Sequence, residues 1–121
     1  FIYSPKQISS LKNWKMNDNT NIINNLNDID LSKIDCVMTD VFVSMNDSKK
    51  DNLKNEALKT FLVDDQLMKK TSENSVFMHC LPAKVGHEVT NEVINGKHSI
   101  IWKQAKNRMF AQNNLFQCLD W

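Results

Sequence analysis

The stretch Ser75-Val76-Phe77-Met78-His79-Cys80-Leu81-Pro82 contributes most to deciding the fold class. It is apolar and uncharged until Pro82 stops it, which predicts a short buried strand ending near His79. A second run of this kind, Asp35-Cys36-Val37-Met38-Thr39-Asp40, lies upstream and is bounded by acids. Helical patterns stand between these strands and after them. Strands alternating with helices predict an α/β fold with a largely parallel sheet flanked by helices.

Working outward from these two strands, the pattern predicts further strands at 1–3, 21–24 and 99–102 and shorter helices at 7–16, 28–34, 49–62, 64–70 and 89–94, the last closed by Gly96. The longest predicted helix covers residues 103–120. Its apolar residues form two neighbouring stripes, one of Ala105, Met109, Phe116 and Leu119 and one of Ala111, Leu115 and Cys118. A helix packed only on its own sheet needs one stripe. The breadth therefore indicates a second contact surface for this helix.

Composition excludes several classes of function. The chain has 121 residues, one domain at most, with 15 basic and 14 acidic side chains and a net charge of +1. That balance gives no electrostatic case for nucleic acid or for an anionic membrane. No apolar run approaches a bilayer span, and the first residues lack the regions of a signal peptide. Three cysteines do not indicate a disulfide framework, so we expect a reducing, cytoplasmic location.

Three loops are placed where α/β sheets bind ligands, outside the carboxyl ends of strands. The first runs from Asp40 to Met45. A carboxylate there can bind an ammonium group, and the hydroxyl of Ser44 can share it. The alternative is that Asp40 caps a turn and Ser44 begins a helix.

The other two loops offer a thiol and a guanidinium. Cys80 follows a strand beside His79, and can be a nucleophile, a positioned thiol or an inert buried side chain. Adjacent residues on a strand point to opposite faces, so His79 and Cys80 should face apart. Arg108 is the only arginine of the chain and lies early in the last helix. It suits a carboxylate or phosphate, or it is a solvated helix charge.

Taken together, four segments in this order and spacing resemble the carboxyl-terminal half of ornithine carbamoyltransferase: Thr39-Asp40-Val41-Phe42-Val43-Ser44-Met45, Phe77-Met78-His79-Cys80-Leu81-Pro82-Ala83, Glu88-Val89-Thr90 and Asn107-Arg108-Met109. The resemblance runs from about residue 35 to the end. Aspartate carbamoyltransferase is similar in fold, but it carries proline at the position of Cys80 and lacks the Ser-Met loop.

The resemblance implies a Rossmann-like half of a two-domain enzyme. Residues 1–102 would be part of the ornithine-binding domain, and the helix in 103–121 would pack on an amino-terminal domain that binds carbamoyl phosphate. The Ser-Thr-Arg-Thr motif of that domain does not occur in this sequence, and the chain opens in what reads as mid-strand, so we expect a fragment that is inactive alone. The family further implies a homotrimer or a multiple of it, with neither cofactor nor metal.

The resemblance also implies a role for each site residue. Asp40 and Ser44 would hold the α-ammonium of ornithine, and the Met45 backbone N–H would meet its carboxylate. Cys80 would lie near the δ-amine, coupled to Asp40, and assist proton removal. The carbonyls of Cys80 and Leu81 would accept from the carbamoyl NH2, aimed by a cis Leu81–Pro82 bond, while Arg108 would stabilise the developing oxyanion or phosphate charge.

Other functions remain open at this point. One is carbamoyl transfer to a different amine or amino acid, although Ser44-Met45 favours ornithine. A Cys-His hydrolase using Cys80 with His87 or His98 is a second, which the absence of a glycine turn after Cys80 argues against. Metal binding has still less support, because no two cysteines or histidines are spaced in the sequence as metal ligands usually are. The last is a fragment without independent function.

Overall fold

The structure is a computed structural model that describes residues 1–5, 18–42 and 57–119. All strand pairings within this part are parallel. Strand β1 (Ile2–Tyr3) pairs with β2 (Ile22–Ile23), and β3 (Cys36–Thr39) pairs with β4 (Val76–His79). An isolated parallel bridge extends the second pair, with Phe77 opposite Ser99, and another joins Val63 to Val89. Parallel strands and the helices below confirm the predicted α/β class.

Three α-helices lie in the described part of the chain: α1 (Asp65–Met68), α2 (Asn91–Ile94) and α3 (Ile101–Cys118). The side chain of Asp64 accepts from the Leu67 N–H and begins α1, as its position predicts. At Gly96, after α2, an added Cβ would lie 2.5 Å from the Glu92 carbonyl oxygen. Close backbone approach, rather than a left-handed conformation, therefore requires glycine there. Helix 7–16 and most of helix 49–62 fall outside the described residues; 57–62 ends in a short 3-10 helix, Lys59–Phe61.

The helix predicted at 28–34 is wrong. Two 3-10 helices, Leu26–Asp28 and Leu31–Lys33, stand there with extended residues between them. Asn25 and Asp30 each accept a hydrogen bond from the backbone two residues on, which begins a new turn at both places. Local side-chain hydrogen bonds thus compete with a continuous helix.

The strand predicted at 99–102 is also wrong beyond its first residue. Phe77 exchanges backbone hydrogen bonds with His98 and Ile100, and the ladder stops there. The Gln104 N–H already donates to the Ile100 carbonyl, so α3 begins at Ile101, two residues before its predicted start. The chain therefore turns from strand to helix within one residue of the sheet.

The hydrophobic core surrounds β4. Its buried members come from β4, the two short helices, the first residue of α3 and the bridge segments: Val63, Met68, Phe77, Val89, Val93, Ile94 and Ile101. Leu81 and Ala83, from the loop after β4, are partly buried against it. The loop that follows β4 is thus held by the same core as the strand. No helix in the described ranges is both long and apolar enough to cross a lipid bilayer.

Candidate active site

Strands β3 and β4 end side by side, and this brings two of the predicted site residues into contact. Thr39 is paired with His79, so the next residues, Asp40 and Cys80, leave the sheet together at its carboxyl edge. The Cys80 thiol donates to Asp40 Oδ1, with 2.9 Å between Sγ and the oxygen. The Val41 N–H donates to the same oxygen at 2.6 Å. Both Asp40 and Cys80 are exposed, so a ligand can reach the pair.

This hydrogen bond separates the acidities of the two groups. The hydrogen bond from the Cys80 thiol holds the pKa of Asp40 below its usual value, partly opposed by burial and aided to a lesser degree by the Val41 N–H. The same bond, with help from burial and from the Asp40 charge, raises the pKa of Cys80 above that of an ordinary thiol. At neutral pH the site therefore presents one carboxylate and one protonated thiol.

His79 faces the opposite side from Cys80, as strand alternation predicts, and its side chain is fully buried. Its Nδ1 accepts from the Leu81 N–H at 2.8 Å, so the ring proton is on Nε2 when the imidazole is neutral. Leu81 has φ +57°, a left-handed conformation that a branched side chain rarely adopts, and it precedes a cis peptide bond to Pro82. The imidazole thus fixes an unusual backbone that directs the loop out of the sheet.

A buried carboxylate supports that histidine from below. Glu88 is fully buried, and its Oε1 lies 3.4 Å from His79 Nε2. The same oxygen accepts from the Lys84 N–H and closes the loop on itself. The segment is pinned a second time where Val63 exchanges backbone hydrogen bonds with Glu88 and Thr90. The loop 80–88 is therefore held from its inner side by buried polar groups.

Arg108 lies on the second turn of α3 and is exposed. Its charge has the smallest influence on the Cys80 thiol and opposes the rise in that thiol's pKa. Leu81 is partly buried beside the Asp40–Cys80 pair. Ser44 and Met45, the other predicted ligands of ornithine, lie outside the described residues. The structure thus brings Asp40, Cys80 and Leu81 together at one edge of the sheet.

The geometry does not favour a Cys-His hydrolase. The partner of the Cys80 thiol is a carboxylate, and this raises its pKa, whereas a cysteine nucleophile is activated by a lowered one. His98 binds the Ser75 carbonyl, at the opposite end of β4. Within residues 1–5, 18–42 and 57–119, no three His, Cys, Asp or Glu side chains are grouped as metal ligands would be.

The sequence alone does not identify Glu88 and Gln104 as residues that hold the loop and strand in place. Glu88 belongs to a quoted segment, but its burial under His79 depends on the fold of the intervening loop. Gln104 Oε1 accepts the backbone N–H of His79 at 3.0 Å. Nothing in the sequence distinguishes Gln104 from the other glutamines of the last helix.

Comparison with known proteins places this arrangement in a family. The ornithine carbamoyltransferase of Hyperthermus butylicus is 47% identical over 78 residues, covering 64% of this chain and 25% of the relative. That of Bordetella avium is 45% identical over 83 residues, covering 69% and 26%. This chain spans about a quarter of the length of these curated relatives.

Solved structures agree with the sequence relatives. The ornithine carbamoyltransferase of Pyrococcus furiosus superposes with a TM-score of 0.65 at 36% identity, covering 71% of this chain and 28% of the other. That of Burkholderia thailandensis gives a TM-score of 0.65 at 32% identity, covering 80% and 29%. The family model of the aspartate/ornithine carbamoyltransferase Asp/Orn binding domain matches residues 3–119. The chain therefore belongs to the aspartate/ornithine carbamoyltransferase family and represents its Asp/Orn binding domain.

Proposed function

We propose that this chain is the ornithine-binding part of an ornithine carbamoyltransferase. The reaction transfers the carbamoyl group of carbamoyl phosphate to the δ-amine of ornithine and yields citrulline and phosphate, a step of arginine biosynthesis. The observation that carries the proposal is the contact between the Cys80 thiol and the Asp40 carboxylate at the ends of two paired parallel strands. An anion beside an exposed thiol suits an amino-acid substrate with two ammonium groups.

Asp40 supplies the charge for recognition. Its lowered pKa keeps the carboxylate ionised at neutral pH, and an ionised acceptor binds an ammonium more strongly than a neutral one. In the proposed complex Asp40 and Ser44 hold the α-ammonium of ornithine, and the backbone N–H of Met45 binds the carboxylate.

Cys80 takes part in proton transfer without becoming acylated. Attack on the carbamoyl carbon needs the neutral δ-amine, so a proton must leave the nitrogen. The thiol already donates to Asp40, and its sulfur can accept from the amine. As the neutral amine forms the N–C bond and the C–O bond to phosphate breaks, the attached nitrogen loses a proton to sulfur while the thiol proton passes to Asp40. The raised pKa of Cys80 disfavours a free thiolate nucleophile.

The loop after β4 and α3 serve the carbamoyl phosphate. The carbonyls of Cys80 and Leu81 accept from the carbamoyl NH2, at the turn where Leu81 has its left-handed conformation. The Arg108 guanidinium stabilises negative charge that develops on the carbonyl oxygen and on the departing phosphate. In this proposal residues 1–102 form part of the ornithine domain, and the segment 103–121, which contains most of α3, packs on the carbamoyl phosphate domain of a trimeric, cytoplasmic enzyme.

Steady-state kinetics on the full-length transferase that contains this chain test the proposal. Asp40→Asn removes a charged contact worth about 1.5–3 kcal/mol, so kcat/KM for ornithine should fall about 10- to 100-fold. Ser44→Ala removes a neutral hydrogen bond of about 1 kcal/mol, an effect of about 5-fold. Equal losses would contradict the assignment of Asp40.

Two comparisons complete this experiment. The isolated 121-residue chain should form no citrulline, and turnover that vanishes in Cys80→Ala would overturn that expectation. Replacing ornithine by lysine, putrescine or aspartate decides between ornithine and another amine acceptor. Faster carbamoylation of one of these would move the substrate assignment to that acceptor.

A further inference from the structure

Helix α3 is attached to the rest of the described fold through its first turn. Ile101 is buried in the core and Gln104 is half-buried, while every other residue of the helix is exposed. Helix α3 contacts β4. Within the described residues, the contacts of this first turn therefore set the direction of the helix.

Gln104 replaces a missing neighbour strand. The N–H and carbonyl of Phe77 bond to His98 and Ile100, on the side of β4 away from β3. The N–H of His79, two residues on, points to the same side. By then the chain has left the sheet as α3, and the Gln104 side chain returns to accept this last N–H at 3.0 Å. One side-chain oxygen thus continues the ladder by one bond.

Arg108 follows Gln104 by four residues, so the two lie on the same face of α3, one turn apart. The hydrogen bond between the His79 N–H and Gln104 joins this face of α3 to the last residue of β4, and Cys80 is the next residue of the chain. We propose that Gln104 is a positioning residue: by accepting the His79 N–H it sets where Arg108 stands relative to Cys80 and Leu81. The effect on catalysis rests on the proposed carbamoyl transfer, whereas the geometric part does not.

The physical basis is the sensitivity of a charged donor to its position. A planar guanidinium stabilises developing charge only at hydrogen-bond distance and in a fixed orientation. Misplacing a catalytic group by about 1 Å can cost on the order of 100-fold in rate. A change at the first turn of α3 would tilt the helix and move Arg108 more than it moves Asp40, which follows another strand.

The test compares Gln104→Met, which keeps the side-chain length but removes the acceptor, with the matched control Gln112→Met on an exposed part of the same helix. In the full-length transferase we expect Gln104→Met to lower kcat about 10- to 100-fold with little change in the KM for ornithine. Gln112→Met should retain the kcat of the unmodified enzyme. A fall in thermal stability without a fall in kcat would overturn the proposal.

Coupling to Arg108 separates positioning from a merely structural role. In an Arg108→Lys background, where the fork geometry is already lost, Gln104→Met should add little to the loss in kcat. An equal loss in both backgrounds overturns the proposal. Gln104→Asn is a milder variant should the methionine variant not fold, because it keeps the amide acceptor on a side chain one methylene shorter. If the Gln104 contact positions α3, kcat should fall in this variant too. Unchanged kcat in Gln104→Asn also overturns the proposal.

A measurement that needs no carbamoyl transfer distinguishes the two proposals. The Arg108 charge favours the Cys80 thiolate, so moving it away should slow alkylation of Cys80 by iodoacetamide at fixed pH. Gln104→Met and Arg108→Gln should both slow it, and Gln112→Met should not. An unchanged rate in Gln104→Met overturns the positioning role. Absence of citrulline formation in the unmodified enzyme overturns the proposed function alone.

Discussion

Two neighbouring parts of the molecule are built in opposite ways. Between Val76 and Ile101, five side chains are almost completely buried, and the polar side chains of His79 and Glu88 lie next to one another inside. From Trp102 to Leu119 every residue is exposed except Gln104, although many are large and apolar. The first part carries its own core, whereas the second presents a surface with little of the described fold packed against it.

This difference indicates which contacts fix the position of each part of the site. The loop after β4 is fixed by contacts within the chain, from the core below and from Glu88 and His79 behind it. Arg108 is fixed at one end of its helix only. The loop and the helix can therefore be disturbed separately, and matched pairs of variants distinguish the two.

The largest contrast is expected between two phenylalanines. Phe77→Ala should lower the free energy of unfolding by about 3–5 kcal/mol, since a fully buried side chain leaves a cavity. Phe116→Ala should change it by less than about 0.5 kcal/mol, because that side chain is 58% exposed. Urea denaturation of the 121-residue chain, followed by circular dichroism at low concentration, measures both. Similar losses would mean that α3 is packed within the chain.

A second pair compares two glutamates. Glu88→Ala removes the acceptor of the Lys84 N–H and leaves that donor unpaired in the loop, so it should cost about 1–3 kcal/mol. Glu73→Ala, in an exposed turn, should have no measurable effect. The same denaturation experiment applies, and an undiminished stability of Glu88→Ala would contradict the buried role of this carboxylate.

The third prediction concerns the pH dependence of the thiol. Above the ordinary thiol pKa the unfolded chain releases the Cys80 proton while the folded chain retains it, so the free energy of unfolding should fall as the pH rises through that range. In Asp40→Asn the midpoint of Cys80 alkylation should move down toward the ordinary value. Cys36, whose pKa is raised by burial, should keep its midpoint. Peptide mass spectrometry after iodoacetamide treatment reads each cysteine separately; an unmoved Cys80 midpoint would contradict the contact.

The smallest effect is expected in the association of the isolated chain. Leu115 and Phe116 are 59% and 58% exposed on α3, and Leu119 and Cys118 are exposed as well. Such a surface favours contacts between copies. Replacing Leu115 and Phe116 by glutamine should raise the monomer fraction in sedimentation velocity at a given concentration. A chain that is already monomeric at high concentration would refute this expectation.

The strands of the fold follow closely from the sequence. The parallel class and all four strands are predicted, because short apolar runs between polar residues leave few alternatives. The prediction of a helix at 28–34 fails because the side chains of Asn25 and Asp30 bind the backbone two residues on and so favour two short turns over one helix. The spacing of apolar residues carries no information about these hydrogen bonds. The strand at 99–102 fails because its apolar run also suits the first turn of a helix whose first residue, Ile101, is buried in the core.

The candidate site is predictable to a different extent. Asp40, Cys80 and Arg108 are identified by type and by position and Leu81 by the family resemblance, and the structure brings Asp40, Cys80 and Leu81 to one edge of the sheet. Their supports are not, since the burial of Glu88 depends on how the loop 80–88 folds back. Gln104 is separated by 25 residues from the His79 N–H that donates to it, and it has no distinguishing neighbour. Supporting contacts of this kind are defined only in three dimensions.

The hydrogen bond between Asp40 and Cys80 joins residues 40 positions apart, as does every rung between β3 and β4. A contact of that separation forms only after the intervening chain has closed into a loop, at a cost in entropy that grows with the logarithm of its length. Contacts such as Phe77 with Ser99 close shorter loops. The segment around β4 and α2 can therefore order first, and β3 arrives later. In refolding we therefore expect the Cys80 thiol to gain its contact with Asp40 after the contacts around β4 and α2 have formed, so the rate at which it becomes resistant to alkylation should report this later step.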